Sequence, residues 1–303
     1  MLVQFGLAPL APEWDSCVVC IGTFDGVHLG HQAVISTAVS QALELQQPSV
    51  LITFDRHPAA VLAPDKNPAA IATLGQKLRR FEALGVTVCL VLPFDERTSQ
   101  IEAQAFLDDV LVAKLRTNSI VVGHDFAFGK GRVGTPEWLA ERLSTVVVPP
   151  CELEGQRVSS TKIRSLIRSG DVEAAKRMLG APFSLGGVVV KGQQLGRQLG
   201  FPTVNVARLC DQILPADGVY AGRCDTVHGE FRAAISVGHR RTGTGPCPVE
   251  AFLIDYHDDS LYGTLVELQF ASMIREQRDF DDFDALAEQI RKDVAVIENG
   301  LGI

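Results

Sequence analysis

Five apolar runs in the first half of the chain, residues 18–21, 49–54, 86–92, 119–122 and 145–148, limit its fold more than any other feature. Each is nearly continuous rather than alternating, the pattern of a strand buried on both faces. Between them, apolar side chains recur near helical spacing. Val34, Ala38 and Ala42 make one stripe with Ile35, Val39 and Leu43 beside it, and Pro48 ends that helix. Further helices are predicted over residues 73–84, capped by Gly85, over 101–115 and over 138–143. Strands alternating with helices predict a parallel sheet covered on both sides.

That pattern stops near Leu179-Gly180-Ala181-Pro182, after two short helices predicted from Gly170 onward. Short β-rich stretches separated by Gly and Pro follow, at residues 187–190, 218–223, 231–237, 249–256 and 264–270. Their spacing predicts an antiparallel barrel or sandwich. Phe283, Leu286, Ile290 and Val294 then give a closing amphipathic helix. The predicted domains are 1–182 and 183–303, each long enough to bury its own core.

A net charge of −8 argues against a broad nucleic-acid-binding face, which needs clustered cations, and leaves a small phosphorylated ligand as the better expectation. No leader pattern and no apolar run of membrane-spanning length is read, so the expected location is cytoplasmic, with no membrane partner. Seven cysteines, an odd number, scattered through apolar segments predict reduced thiols. Cys17 and Cys20 form a C-x-x-C, but residues three apart on a strand point to opposite faces.

The densest chemistry of the first domain is Cys-Ile-Gly-Thr-Phe-Asp-Gly-Val-His-Leu-Gly-His, residues 20–31. Strand, glycine-rich turn and helix N-terminus together favour an anion, with a phosphate as the natural occupant. Neither the Gly-Lys-Ser/Thr ending of a phosphate loop nor the G-x-G-x-x-G of a dinucleotide fold is present, which argues against a dehydrogenase. Instead the turn offers two imidazoles, His28 and His31. Asp55-Arg56-His57-Pro58 forms a polar turn at a strand's C-terminal end, where open α/β sheets place ligands. The loop 123–132 combines glycines, cations, Phe126 and Phe128, which favours a ligand wall over a solvated turn. Ser159, Ser160 and Thr161 are good helix caps, yet Lys162 and Arg164 in the first turn oppose the helix dipole, a cost that a bound anion offsets.

In the second domain, residues 192–205 carry Gly192, Gly196 and Gly200, one cation and no acid. Such a loop can wrap phosphates, and Thr203 and Asn205 supply neutral oxygens suited to Mg²⁺. Glu250 opens an apolar strand and is the candidate group to deprotonate an alcohol in phosphoryl transfer, although a strand-edge Glu is more often solvated.

GTFDGVHLGH, TFDRHP, VGHDFAFG, VSSTKIR, GRQLGFPTVN, GVYAG, VEAFLIDYHDDSLYG and IREQRDF occur in this order along the chain. In that order and spacing the chain resembles the bacterial bifunctional riboflavin kinase/FMN adenylyltransferases, also called FAD synthetases, nearly end to end. The resemblance implies a Rossmann-like α/β nucleotidyltransferase followed by a six-stranded riboflavin kinase barrel with a C-terminal helix. It implies two reactions: riboflavin and ATP give FMN, then FMN and a second ATP give FAD and pyrophosphate. Mg²⁺ is the implied cofactor, and nucleotides and flavins are the implied partners. His28 and His31 would stabilise charge on the ATP phosphates. The same comparison puts Gly22, Phe24, Asp25, Gly26, His57, Asp125, Phe126, Phe128 and Gly129 around the nucleotide and flavin. Ser159, Ser160, Thr161 and Arg164 would hold the β- and γ-phosphates. In the kinase domain it implies Gly192, Gly196, Arg197, Gly200, Phe201, Pro202 and Arg240 at ATP and flavin, Thr203 and Asn205 on the metal, and Glu250 as base.

The chain departs from the family pattern at Arg56, in place of the usual Pro, and at Arg240-Arg241-Thr242, in place of Arg-Pro-Thr. The second departure motivates an alternative: an adenylyltransferase whose barrel is a flavin-binding or regulatory module.

Overall fold

The computed structural model describes residues 1–7, 14–192, 196, 199–238, 249–257 and 261–300. The chain divides into two compact units, one of Met1–Ala69 and Leu74–Ser159, the other of Ala70–Thr73 and Ser160–Ile303. The division falls inside the Ser159-Ser160-Thr161 motif, upstream of Pro182, where the barrel strands begin.

In the first unit the predicted parallel sheet is present. Its strands are β1 (Leu2–Phe5), β2 (Cys17–Ile21), β3 (Ser49–Phe54), β4 (Val88–Leu92), β5 (Thr117–Gly123) and β6 (Ser144–Val148), in spatial order β1-β4-β3-β2-β5-β6. Every neighbouring pair is parallel. The helices are α1 (Leu29–Glu44), α2 (Ala59–Leu62), α3 (Leu74–Ala83), α4 (Glu96–Ser99), α5 (Ala103–Ala105) and α6 (Pro136–Ala140). Where one helix over 101–115 is predicted, α5 widens into a π-helix over Phe106–Lys114, closed by Leu115 N–H donating to the Val110 carbonyl at 3.0 Å. The last helix of the unit starts earlier than predicted because Thr135 Oγ1 caps it, accepting from Trp138 N–H.

Both faces of the sheet's centre are covered, which is why β2, β3 and β4 are buried and largely apolar. Val18, Cys20, Leu51, Cys89 and Val121 pack with α1 and with Phe81 of α3 on one face. Cys17, Val19, Ile52, Leu90 and Ile120 pack with the 106–115 segment and Leu139 of α6 on the other. Each fully buried aliphatic side chain here contributes about 1.5–3 kcal/mol. Cys17 and Cys20 thus point to opposite sides, as strand geometry requires, and both are free thiols. Strand order reverses beside β2, where the chain builds toward β3 and β4 and then returns to β5. Turns 22–28 and 123–129 leave the C-terminal ends of the two strands at this switch point, the place where such sheets bind ligands.

The second unit holds α7 (Ser160–Arg168), α8 (Val172–Leu179) and a closed barrel. After the small hairpin β7 (Glu152–Leu153) and β8 (Gln156–Arg157) of the first unit, its strands are β9 (Phe183–Val190), β10 (Thr203–Arg208), β11 (Gly218–Thr226), β12 (Gly229–Val237), β13 (Val249–Leu253) and β14 (Leu265–Glu276). They close in the order β10-β13-β12-β11-β14-β9, every pair antiparallel. The predicted barrel is therefore present, but its strand β10 lies within the stretch read as a glycine-rich loop. Strand β14 runs past the expected end at 270, because two register shifts against β11 let pairing continue to Glu276. Gln212, fully buried, clips Ala70–Thr73 to the barrel: its amide donates to the carbonyls of Ile71 at 2.9 Å and Ser184 at 2.7 Å. The last helix, α9 (Phe283–Gly300), sets Val294 and Ile297 against Ala221, Phe252 and Ile254 on the barrel's outer side.

Candidate functional site

At the end of β2 the turn brings His28 and His31 together. His28 is the N-cap of α1, and its Nδ1 accepts from His31 N–H at 3.2 Å. In a neutral ring this places the His28 proton on Nε2, making that edge a donor. The two imidazoles stack with centroids 3.6 Å apart and planes 16° from parallel, and Phe24 meets His31 edge-on at 5.4 Å. Gly30 keeps this stack close: a Cβ on it would come within 3.2 Å of the His28 ring and push it aside by a few tenths of an ångström. Phe24, Asp25, Gly26 and His28 are all buried, with Gly22 half-buried at the strand's exit.

The turn is strained. Phe24 and Val27 both adopt positive φ, 48° and 45°, which costs of order 1–3 kcal/mol each for a residue with a Cβ. Holding it from below is Lys77 of α3, a group that the sequence reading passed over. Its Nζ donates to the Thr23 carbonyl at 3.1 Å and to Thr53 Oγ1 at 3.4 Å, while Thr53 donates to the same carbonyl at 3.2 Å. Lys77 is 8% exposed, and burial pushes its ammonium below the ordinary lysine range against the opposing pull of the Asp25 carboxylate. Its signal was legible: Lys77 stands four residues before the buried Phe81, on the core-facing stripe of α3.

Other expected residues of the first site are anchored by the fold. His57 Nδ1 accepts from Ala59 N–H at 3.1 Å at the entry to α2, and Arg56 is exposed, paired with Asp55 at 3.2 Å. An arginine in that turn therefore points away from the core. Phe126 and Phe128 stack at 5.7 Å, and Phe128 also packs on Phe106 and Trp138, so its ring is tied into the sheet's covering layer. Gly129 follows with φ 74°, and Asp125 is exposed and paired with Arg157 at 2.7 Å. Ser159 is the last residue of the first unit. Ser160, Thr161 and Arg164 lie on α7 in the second, where Arg164 is buried and Thr161 exposed.

On the barrel, strand geometry gathers the second cluster. Thr203 and Asn205 lie two apart on β10 and so share a face; they pair in register with Phe252 and Glu250 of β13. Thr203 Oγ1 donates to Glu250 Oε2 at 3.3 Å. The alternation along β13 buries Val249, Ala251 and Leu253 inside the barrel and leaves Glu250 and Phe252 facing outward. Ser236 of β12 stands opposite Glu250. Thr203, Ser236, Glu250 and Phe252 open on a cavity of about 760 Å³ between the barrel's outer face and α9, bordered also by Gly196, Phe201 and Arg275. Phe201 meets Phe252 edge-on at 5.3 Å, Gly200 takes φ 82°, and Pro202 leads directly into β10. The chain at Gly192 passes directly over the Asn205 amide, leaving no room for a Cβ. Arg197 and Arg240 lie outside the described residues.

Two cavity residues were given no role by the sequence reading, although Arg275 stands within the IREQRDF motif. Arg275 of β14 and Asp293 of α9 form a bidentate pair, with Nη2–Oδ2 at 2.8 Å and the Asp293 side chain 4% exposed. Only tertiary packing joins positions 18 residues apart on a strand and a helix, so no local pattern announces them. Among the described residues no cluster of three His, Cys, Asp or Glu side chains is arranged to hold a metal. Thr203, Asn205 and Glu250 share one face of the β10–β13 pair and carry side-chain oxygens, the donor type a hard cation takes.

Comparison with known proteins finds relatives for both halves of the chain. A family model for FAD synthetase matches residues 10–162 and one for riboflavin kinase matches residues 179–301. The bifunctional riboflavin kinase/FMN adenylyltransferase of Pseudomonas fluorescens is 36% identical over 297 residues, covering 96% of this chain and 94% of that one. The Bacillus subtilis protein of the same name is 35% identical, covering 93% and 91%, and the Escherichia coli K12 protein is 35% identical, covering 97% and 95%. A crystal structure from Streptococcus pneumoniae, titled a macrolide-efflux protein, is 31% identical and superposes with a TM-score of 0.90 over 99% of this chain and 100% of that one. Efflux is said of that protein alone; among the described residues here no helix is long and apolar enough to cross a membrane. With an FAD synthetase region followed by a riboflavin kinase region, and relatives of both activities matched along nearly its full length, the chain belongs to the family of bifunctional riboflavin kinase/FMN adenylyltransferases.

Proposed function

We propose that the two reactions are carried by the two clusters separately: the His28/His31 turn serves adenylyl transfer, and the Thr203/Asn205/Glu250 cluster serves riboflavin phosphorylation. The observation that supports this most is that each unit has its own polar cluster, of different chemistry. In sequence terms the division of labour follows residues 1–182 and 183–303.

In the first reaction an FMN phosphate oxygen attacks the α-phosphorus of ATP in line, and the bond to the departing pyrophosphate breaks. Charge accumulates on the non-bridging and leaving oxygens. The imidazole N–H groups at the N-terminus of α1 stabilise it electrostatically, with no covalent enzyme intermediate. Ser159, Ser160, Thr161 and Arg164 are assigned to the ATP phosphates on the family resemblance.

In the second reaction the ribityl 5′-hydroxyl attacks the γ-phosphorus and ADP departs. Glu250 takes the hydroxyl proton, while Thr203, hydrogen-bonded to it, fixes the carboxylate's orientation. Thr203 and Asn205 would hold Mg²⁺, which when bound neutralises phosphate charge. The half-buried aromatic pair Phe201 and Phe252 offers the apolar surface that a flavin ring needs. The convergence of Glu250, Thr203 and Asn205 favours an active kinase over a barrel acting only as a flavin-binding module. A cytoplasmic location accords with the free thiols of the described cysteines.

Incubation with Mg²⁺ and ATP, first with riboflavin and then with FMN, tests the reading by chromatography of the flavins. Both FMN and FAD are expected from riboflavin. FAD from FMN without any FMN from riboflavin would leave the barrel as the binding module.

A further inference from the structure

The two strained residues of the phosphate turn have matching partners on α3. Thr23, whose carbonyl precedes Phe24, is held by Lys77 at 3.1 Å; Gly26, whose carbonyl precedes Val27, is held by Arg80 Nη1 at 3.0 Å. The strained residues are three apart, and so are the two cations, so one face of α3 presents both donors to the turn. A third residue of α3, Phe81, packs edge-on against Phe24 at 5.8 Å. Each peptide is planar and trans, so fixing the Thr23 carbonyl also fixes the Phe24 N–H on the opposite side. Phe24 in turn lies edge-on to His31. A continuous chain of contacts thus runs from the Lys77 ammonium through the Thr23–Phe24 peptide and the Phe24 ring to the stacked imidazoles. Left-handed residues with a Cβ persist only where their surroundings over-determine them, and α3 is the element that does so here.

We infer that α3, through Lys77 and Arg80, is the positioning element of adenylyl transfer. It locks the turn in its strained shape so that His28 and His31 are set before substrate arrives. Neither cation touches the reacting atoms; both act through the backbone carbonyls they hold. The inference rests on the assignment of the His28/His31 turn to adenylyl transfer.

Lys77→Met keeps the length and burial of the side chain and removes its charge; Arg80→Gln, at a half-buried position, tests the same idea if the first variant does not fold. In the full chain, well below its melting temperature, each is expected to lower kcat for FAD formation from FMN at least tenfold. KM for ATP should move less than threefold, and FMN formation from riboflavin should stay at the unmodified level. A cation that served stability alone would move the melting temperature and leave kcat untouched. Val27→Gly supplies a second readout, since glycine accepts positive φ without penalty: removing Arg80 in that background should cost less than in the unmodified chain. Unchanged kcat in Arg80→Gln, or a parallel fall of both activities, overturns the inference. His31→Ala measured alongside separates the two levels. If His31→Ala makes FAD at the unmodified rate, the site assignment fails and the inference with it; if its rate falls while Arg80→Gln is fully active, the role of α3 alone fails.

Discussion

With Glu250 proposed as the kinase base and His31 proposed for adenylyl transfer, their loss should be felt in different products. Glu250→Gln preserves shape and the Thr203 hydrogen bond while removing the base, and should slow FMN formation by about 10²–10⁴-fold. FAD formation from supplied FMN should remain, as product analysis by chromatography would record. His31→Ala should do the reverse, slowing FAD formation by about 10²–10³-fold and sparing the kinase. The cysteines give a check on the fold at the same scale. Burial pushes the thiols of Cys17, Cys89 and Cys224 up to about 12, and that of Cys20 up as well, so they hold little reactive thiolate at neutral pH. Among the described cysteines, mass spectrometry after brief native alkylation at pH 8 should find label on the exposed Cys210 and half-exposed Cys151 first. Equal labelling of Cys17 or Cys20 would contradict the buried sheet.

At the scale of elements, α9 is tied to β14 by Arg275 and Asp293 at the edge of the kinase cavity. Asp293→Ala leaves a largely buried guanidinium without its carboxylate and should cost about 3–5 kcal/mol. The melting transition of the second unit should fall by roughly 10 °C, visible by calorimetry, with kinase activity falling alongside it. Elements also show what the sequence could and could not reveal. The parallel sheet was legible because doubly buried strands are written as continuous apolar runs, as in Val18–Ile21. The edge strand β1 was not, since four residues with Leu2 and Phe5 exposed carry no burial pattern. Strand β10 was hidden because the glycines before it dominate the local reading, although Thr203 and Asn205 were singled out for their oxygens. Capping hydroxyls mark the start of α7, and past Gly170 the one helix α8 stands where two short ones are predicted; neither signal names the core these helices bury a face in, so Pro182 marks the start of the barrel rather than the division of packing at Ser159. Lys77 was readable as a lysine on a buried stripe, yet its purpose emerges only when the turn's carbonyls are seen above it.

For the whole molecule, the proposed division gives two sites that work independently, joined by FMN as the product of one and the substrate of the other. Single-site variants should then complement one another in solution, because FMN is free to pass from one chain to the next. The decisive measurement mixes Glu250→Gln with His31→Ala in Mg²⁺, ATP and riboflavin and follows FAD by chromatography. Over a time in which the unmodified chain completes both steps, Glu250→Gln alone should leave nearly all riboflavin unconverted and His31→Ala alone should accumulate FMN, while the mixture should form FAD. A mixture that accumulates FMN without FAD, or either variant losing both activities while still folded, would contradict the assignment of one reaction to each site.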